Sequence, residues 1–126
     1  MKYVELDRTI LAELVEMDPV GGLELVRELV QIFFAEAPGR LDLMRCGLSQ
    51  GDPQKLAHGA HAMRGGASGL GATGMAEACA RVERQARAGA FTGLDDEVDG
   101  IEGALPRLAR QVEGYVTQLA RRAAVD

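Results

Sequence analysis

Apolar positions recur along this chain at intervals of three and four almost throughout, and no stretch shows the strict alternation of a half-buried strand. Ile10, Leu11, Leu14 and Val15 describe a short first helix that ends near Asp18-Pro19, with Asp7 placed to cap it and Leu6 and Leu11 spaced as a hydrophobic staple. The strongest amphipathic pattern runs from about residue 20 to 37 and contains Val26, Leu29, Val30, Phe33, Phe34 and Ala37. Pro38 reads as a break and as the first-turn residue of a third segment, in which Leu41, Met44 and Leu48 point one way until Gly51 stops it. Asp52-Pro53 then gives an N-cap acid followed by a first-turn proline, and opens a helix over about 53–70. Gly71-Ala72-Thr73-Gly74 reads as a turn, with Thr73 as cap for a fifth helix over about 74–88 that carries Met75, Cys79, Val82 and Ala86 inward and closes at Gly89. After a loop at residues 90–93, Leu94, Val98, Ile101, Leu105, Leu108, Val112, Tyr115 and Leu119 describe one long helix with a kink expected at Pro106. The tail from Arg121 to Asp126 is expected to fray.

Amphipathic helices joined by short loops bury their stripes against one another as a bundle. The expected fold is therefore all-α: an up-and-down bundle of four main helices with a short N-terminal accessory helix, and with the third segment accessory as well. At 126 residues the chain is expected to form a single domain over 1–126, large enough for a hydrophobic core without disulfides or metals.

The net charge of −5 and the scattered basic residues argue against nucleic acid as the main partner, since phosphate backbones are held by clustered Lys and Arg. Cys46 and Cys79 lie among apolar residues without CxxC pairing, which predicts two buried free thiols. The first residues carry acids early and lack an apolar signal core, and no window reaches the roughly 18 apolar residues of a membrane span. A cytoplasmic protein that does not engage membranes is expected.

The helix over 53–70 carries the chemistry. At about 100° per residue, Leu56, Ala60, Met63, Ala67 and Leu70 fall on one stripe, whereas His58, His61 and Gly65 project from the opposite side. Glycine within a helix costs about 1 kcal/mol relative to alanine. Gly65, Gly66 and Gly69 therefore suggest close approach by another molecule. His58 and His61 stand at i, i+3, but no Glu-x-x-His of the ferritin type accompanies them and no metal is expected. Gly69-Leu70-Gly71-Ala72-Thr73-Gly74 formally satisfies GxGxxG, yet that fingerprint needs a preceding strand, and here a helix precedes it.

If the fourth and fifth segments form an antiparallel hairpin, His61 and Glu83, each eleven residues from Ala72, lie at the same height. Glu83 follows the core position Val82, so its carboxylate would stand at the edge of the seam and accept a proton-bearing ring nitrogen. With Nδ1–H so held, Nε2 keeps its lone pair and becomes the outward nucleophile. Arg64, one turn from His61, is placed to stabilise incoming negative charge.

The stretch from Leu56 to Glu83 resembles the signature of the histidine-containing phosphotransfer (Hpt) domain: a histidine, two residues, a basic residue and glycine, then Leu70-Gly71-Ala72 and the run around Cys79. Phe33-Phe34 through Ala37-Pro38, followed by Leu41, Leu48 and Gly51-Asp52, resembles the helix that precedes it in that family. Arg64 stands where lysine is commoner and Gly66 where serine or alanine is commoner. The resemblance implies a four-helix bundle in which His61 accepts a phosphoryl group from an aspartyl phosphate on a receiver domain and passes it to another receiver. It further implies Arg64 as the basic support, Gly65 as the small residue under the docked partner, and Glu83 as the group that hydrogen-bonds the histidine. His58 and Ser68 are expected to join Gly65 in partner binding. The implied partners are response-regulator receiver domains and a hybrid or sensor histidine kinase, met by a monomer. No cofactor is expected on this chain, the Mg²⁺ belonging to the receiver, and no ATP site, so the chain would not be an enzyme in its own right. The other reading is a helical adaptor that binds a kinase or receiver domain without phosphotransfer.

Overall fold

The computed structural model describes residues 3–18 and 20–125. Five helices follow in order: α1 (Thr9–Met17), α2 (Gly21–Gln50), α3 (Pro53–Gly69), α4 (Thr73–Arg87) and α5 (Leu94–Val125). No strand occurs among the described residues. Short connections force α2 to α4 into antiparallel neighbours, α5 closes the ring against α2 and α4, and α1 packs on α2. The bundle expected from the spacing is the bundle formed.

The apolar stripes meet in one core. Val26, Phe33, Ala37, Leu41 and Met44 come from α2, Leu56, Ala60, Met63 and Ala67 from α3 with the stripe's last member, Leu70, just past its end, and Met75, Cys79, Val82 and Ala86 from α4. From α5, Leu94, Val98, Ile101, Leu108, Val112, Tyr115 and Leu119 are buried, while Leu105 is half-buried. α2 and α3 approach closely because their contact is built on glycines. A Cβ on Gly47 would stand 2.6 Å from the Leu56 backbone nitrogen, and one on Gly59 2.9 Å from the Arg40 carbonyl oxygen.

Several boundaries differ from expectation. Pro38 does not break the chain: the second and third expected segments are one helix, α2. Pro38 lies on an exposed flank, so the Phe34 carbonyl that loses its helical donor is on the outward side, where water can serve it, while Phe33, Ala37, Leu41 and Met44 stay buried on the other. α5 likewise runs on through Pro106, and the tail expected to fray remains helical to Val125. Thr73 is the first residue of α4, not its side-chain cap; its Oγ1 donates instead to the Glu5 carbonyl at 3.4 Å. α1 begins at Thr9, where Asp7 Oδ1 accepts from both the Thr9 backbone N–H at 3.0 Å and its hydroxyl at 2.7 Å. Pro19, Asp126 and the first two residues of the expected leaderless N-terminus lie outside the described residues.

Two signals read as expected. Asp52 Oδ1 accepts from the N–H groups of Gln54 and Lys55, both at 3.1 Å, with Pro53 at the first turn. Gly51 ends α2 in the left-handed conformation at φ 63°.

The N-terminal segment, which carries no periodic pattern, is laid as a strap over the α3–α4 turn. Asp7 N–H donates to the Gly71 carbonyl at 2.6 Å, and Gly74 N–H donates to the Glu5 carbonyl at 3.3 Å. Tyr3 reaches Glu97 on α5 through its hydroxyl at 2.9 Å, and the Tyr115 hydroxyl returns a bond to the Arg8 carbonyl at 2.8 Å. A Cβ on Gly71, which has φ 76°, would run into the Asp7 carbonyl oxygen, and one on Gly74 into Glu5. Two of the three glycines of the GxGxxG-like run, Gly71 and Gly74, are thus accounted for by the chain's own strap.

Candidate functional site

His61 lies near the middle of α3, away from the buried stripe, with its side chain 59% exposed. Glu83 stands opposite on α4, one residue after the buried Val82, and its side chain is only 12% exposed. His61 Nδ1 is 3.0 Å from Glu83 Oε2. The equal spacing of the two residues from the hairpin turn does bring them level.

Two arginines complete the cluster. Arg64 Nη2 lies 3.3 Å from Glu83 Oε1 and 3.0 Å from His61 Nδ1. Arg87, one turn beyond Glu83 on α4, donates to Oε2 from Nε at 3.2 Å and from Nη2 at 2.9 Å. Arg87 is absent from the sequence-based site, although a glutamate followed four residues later by arginine on a helix is a recognised pairing signal. Burial alone would raise the Glu83 carboxyl. The Arg87 bonds, the Arg64 charge and the His61 bond outweigh burial and hold the group below the ordinary carboxylate range.

An ionised carboxylate only accepts hydrogen bonds, so the ring uses Glu83 fully when its proton sits on Nδ1. Nε2 then carries an in-plane lone pair, and no protein partner engages it among the described residues. An imidazole held in this way is a nucleophile with a fixed direction of attack.

The face of α3 that carries His61 is open. A Cβ on Gly65 or on Gly69 would meet nothing within 4 Å. Gly66 is different, because a Cβ there would lie 2.9 Å from Phe33 Cδ1. The expectation that all three glycines serve an outside molecule is therefore corrected for Gly66, which serves the packing of α2 on α3. His58 and Ser68 are exposed on α3 and lie within about 60° of His61 around the helix axis. Beside them a groove of about 200 Å³ runs between α2 and α3, bordered by Leu29, Ile32, Phe33, Gly65 and Gly69. Ile32 is 52% exposed on its rim.

The two cysteines separate. Cys79 is buried, and burial, with the Glu97 charge adding to it, pushes its thiol up to about 12. Cys46, expected to be buried, is exposed, because two positions from Met44 place it about 200° around α2. Among the described residues there is no group of three or more His, Cys, Asp or Glu side chains arranged to hold a metal ion, and no helix is long and apolar enough to cross a membrane.

Among solved structures, the chain is similar to the crystal structure of histidine-containing phosphotransfer protein B (HptB) from Pseudomonas aeruginosa PAO1, at 26% sequence identity and a TM-score of 0.76, over 90% of this chain and 95% of that one. No curated protein sequence matches it. The family model of the Hpt domain matches residues 28–121, a span that includes most of α2, all of α3 and α4 with the His61–Glu83 pair, and most of α5. By that match the chain belongs to the Hpt domain family.

Proposed function

We propose that this protein is a phosphorelay carrier in which His61 takes a phosphoryl group on Nε2 from an aspartyl phosphate of a receiver domain and hands it to a second receiver. The observation that carries this reading is the geometry of the ring. Nδ1 is held by a buried carboxylate at 3.0 Å, Nε2 has no protein partner among the described residues, and one turn along α3 a side chain at Gly65 would meet nothing within 4 Å.

In the forward step the Nε2 lone pair forms the P–N bond as the P–O bond to the aspartyl carboxylate breaks, and the electron pair leaves with that carboxylate. The Nδ1 proton does not move. The ring becomes a cation, and Glu83, already ionised and within 3.0 Å, balances it. Onward transfer is the reverse at phosphorus: the P–N bond breaks and the ring leaves as neutral imidazole with Nδ1–H still in place. Glu83 thus serves both directions without accepting a proton. Arg64, one turn along α3, supports the phosphoryl oxygens, and Arg87 keeps Glu83 in position. Phosphoryl transfer of this kind depends mainly on alignment and charge stabilisation, and the Mg²⁺ it needs is supplied by the receiver.

In this reading the receiver sits over His58, Gly65 and Ser68, with Leu29 and Ile32 giving an apolar edge along the groove that Gly65 borders. One receiver covers one site, so a monomer suffices.

The test is incubation with a receiver carrying labelled phosphate, followed by assay for an acid-labile, alkali-stable phosphoprotein. The wild type is expected to take label and His61→Gln to take none while keeping its helical circular dichroism. Label that persists in His61→Gln would sink the assignment. An unlabelled wild type that still binds the receiver would point to an adaptor without turnover.

A further inference from the structure

Two groups reach the same ring atom. His61 Nδ1 lies 3.0 Å from Glu83 Oε2 and also 3.0 Å from Arg64 Nη2. A carboxylate can only accept and a guanidinium can only donate, so the two contacts demand opposite protonation of one nitrogen. With the proton on Nδ1, the ring donates to Glu83, and Arg64 turns its hydrogens to Glu83 Oε1 at 3.3 Å. With the proton on Nε2, Nδ1 accepts from Arg64, and Glu83 keeps its bonds from Arg87. Each arrangement leaves the buried carboxylate satisfied. Of the two competitors, Arg64 is the one free to move: its side chain is 40% exposed, against 12% for Glu83, which Arg87 anchors.

We propose that Arg64 is a positioning residue that competes with Glu83 for Nδ1 and so sets the tautomer of His61, its departure toward an incoming phosphoryl group committing the ring to the nucleophilic form. This inference rests on the reading of His61 as the phosphoacceptor. While Arg64 holds Nδ1, Nε2 carries a proton and presents a donor, not a lone pair, to the outside. A phosphoryl group near the ring offers the guanidinium charged oxygens, which accept more strongly than a neutral nitrogen. As Arg64 turns to them, Nδ1 takes a proton from water, Nε2 returns one to water, and Glu83 alone holds the ring. The histidine is thereby kept poorly nucleophilic until a phosphoryl group is in place.

The test reads tautomers directly. The chain is labelled with ¹⁵N-histidine, and two-bond proton–nitrogen correlation spectra are recorded along a rising pH series until the ring shifts stop moving, where His61 is neutral. The wild type is expected to show both tautomers, and Arg64→Met to raise the ratio of Nδ1–H to Nε2–H about fivefold, the order expected for loss of one hydrogen bond. Glu83→Leu is expected to move the ratio the other way. A wild-type ring wholly in the Nδ1–H form, or a ratio unchanged in Arg64→Met, overturns the competition. Arg64→Met, at a partly exposed helical position, suffices if Glu83→Leu fails to fold. No phosphoryl donor is present in these samples. Label on His61 with an unchanged ratio therefore sinks the competition alone, and a changed ratio in a protein that never takes label sinks the acceptor role alone.

Discussion

At the closed end of the α3–α4 hairpin, Gly71 and Gly74 make room for the molecule's own N-terminal strap; six residues earlier, Gly65 makes room for nothing in the molecule. A side chain at Gly71 or Gly74 would enter Asp7 or Glu5, whereas one at Gly65 would enter open space. The first kind of glycine is a demand of the fold. The second weakens a helix by about 1 kcal/mol relative to alanine and meets no part of the fold, and in the proposed role it leaves the surface clear for the receiver. Gly66, between them in sequence, belongs to the first kind, since Phe33 occupies its space.

The largest effect expected from this contrast is at the turn. Gly71→Val places a β-branched residue at φ 76° and a methyl-bearing carbon against the Asp7 carbonyl. It is expected to cost roughly 2–4 kcal/mol, read as a lowered urea midpoint, and an unchanged midpoint would break the contrast. Gly65→Leu should do the opposite, with stability kept or raised by up to about 1 kcal/mol while transfer from a phosphorylated receiver slows about tenfold or more, a loss of about 1.4 kcal/mol in the transition state. Rapid-quench kinetics beside urea unfolding would show it, and a variant both stable and fully active would return Gly65 to the ordinary surface.

A smaller effect concerns the carboxylate behind the histidine. The folded state holds Glu83 below its ordinary value of about 4.5, so its stabilising contribution is present above that value and is lost as the pH falls through the depressed one. Glu83→Gln is therefore expected to be less stable than wild type by roughly 1–2 kcal/mol at neutral pH. The gap should close as the pH is taken below the ordinary carboxylate range, and urea unfolding along that range checks the sign. Smallest is a chemical reading of inside against outside. An aromatic disulfide reagent should modify one thiol per folded chain, Cys46, and both thiols only after unfolding, because Cys79 is buried with its thiol pushed up to about 12.

How much of this could be read from the sequence follows from which forces are local. The stripe from Leu56 to Leu70 and the equal distances of His61 and Glu83 from Ala72 are consequences of helical period and a short turn, and both survive in the structure. What escaped depends on partners distant in sequence. The strap has no periodicity to announce it, so Gly71 and Gly74 resembled a generic turn, and Thr73 resembled a cap although it bonds to Glu5. Pro38 obeyed a local rule that the packing of Phe33, Ala37 and Leu41 overrode. Arg87 was legible in principle from its spacing to Glu83, yet its use became clear only once Glu83 was seen to be buried between two guanidinium groups.

The pairing of one glutamate with two arginines also fixes the electrical state of the loaded carrier. With the ring neutral, Glu83, Arg64 and Arg87 leave the cluster with a single excess positive charge. In the proposed role the arriving phosphoryl group brings close to two negative charges and leaves the ring a cation, so the cluster ends near electroneutrality. A cargo stored without net local charge neither repels the acidic remainder of the chain nor binds it tightly. Its release can then be governed by which receiver stands opposite.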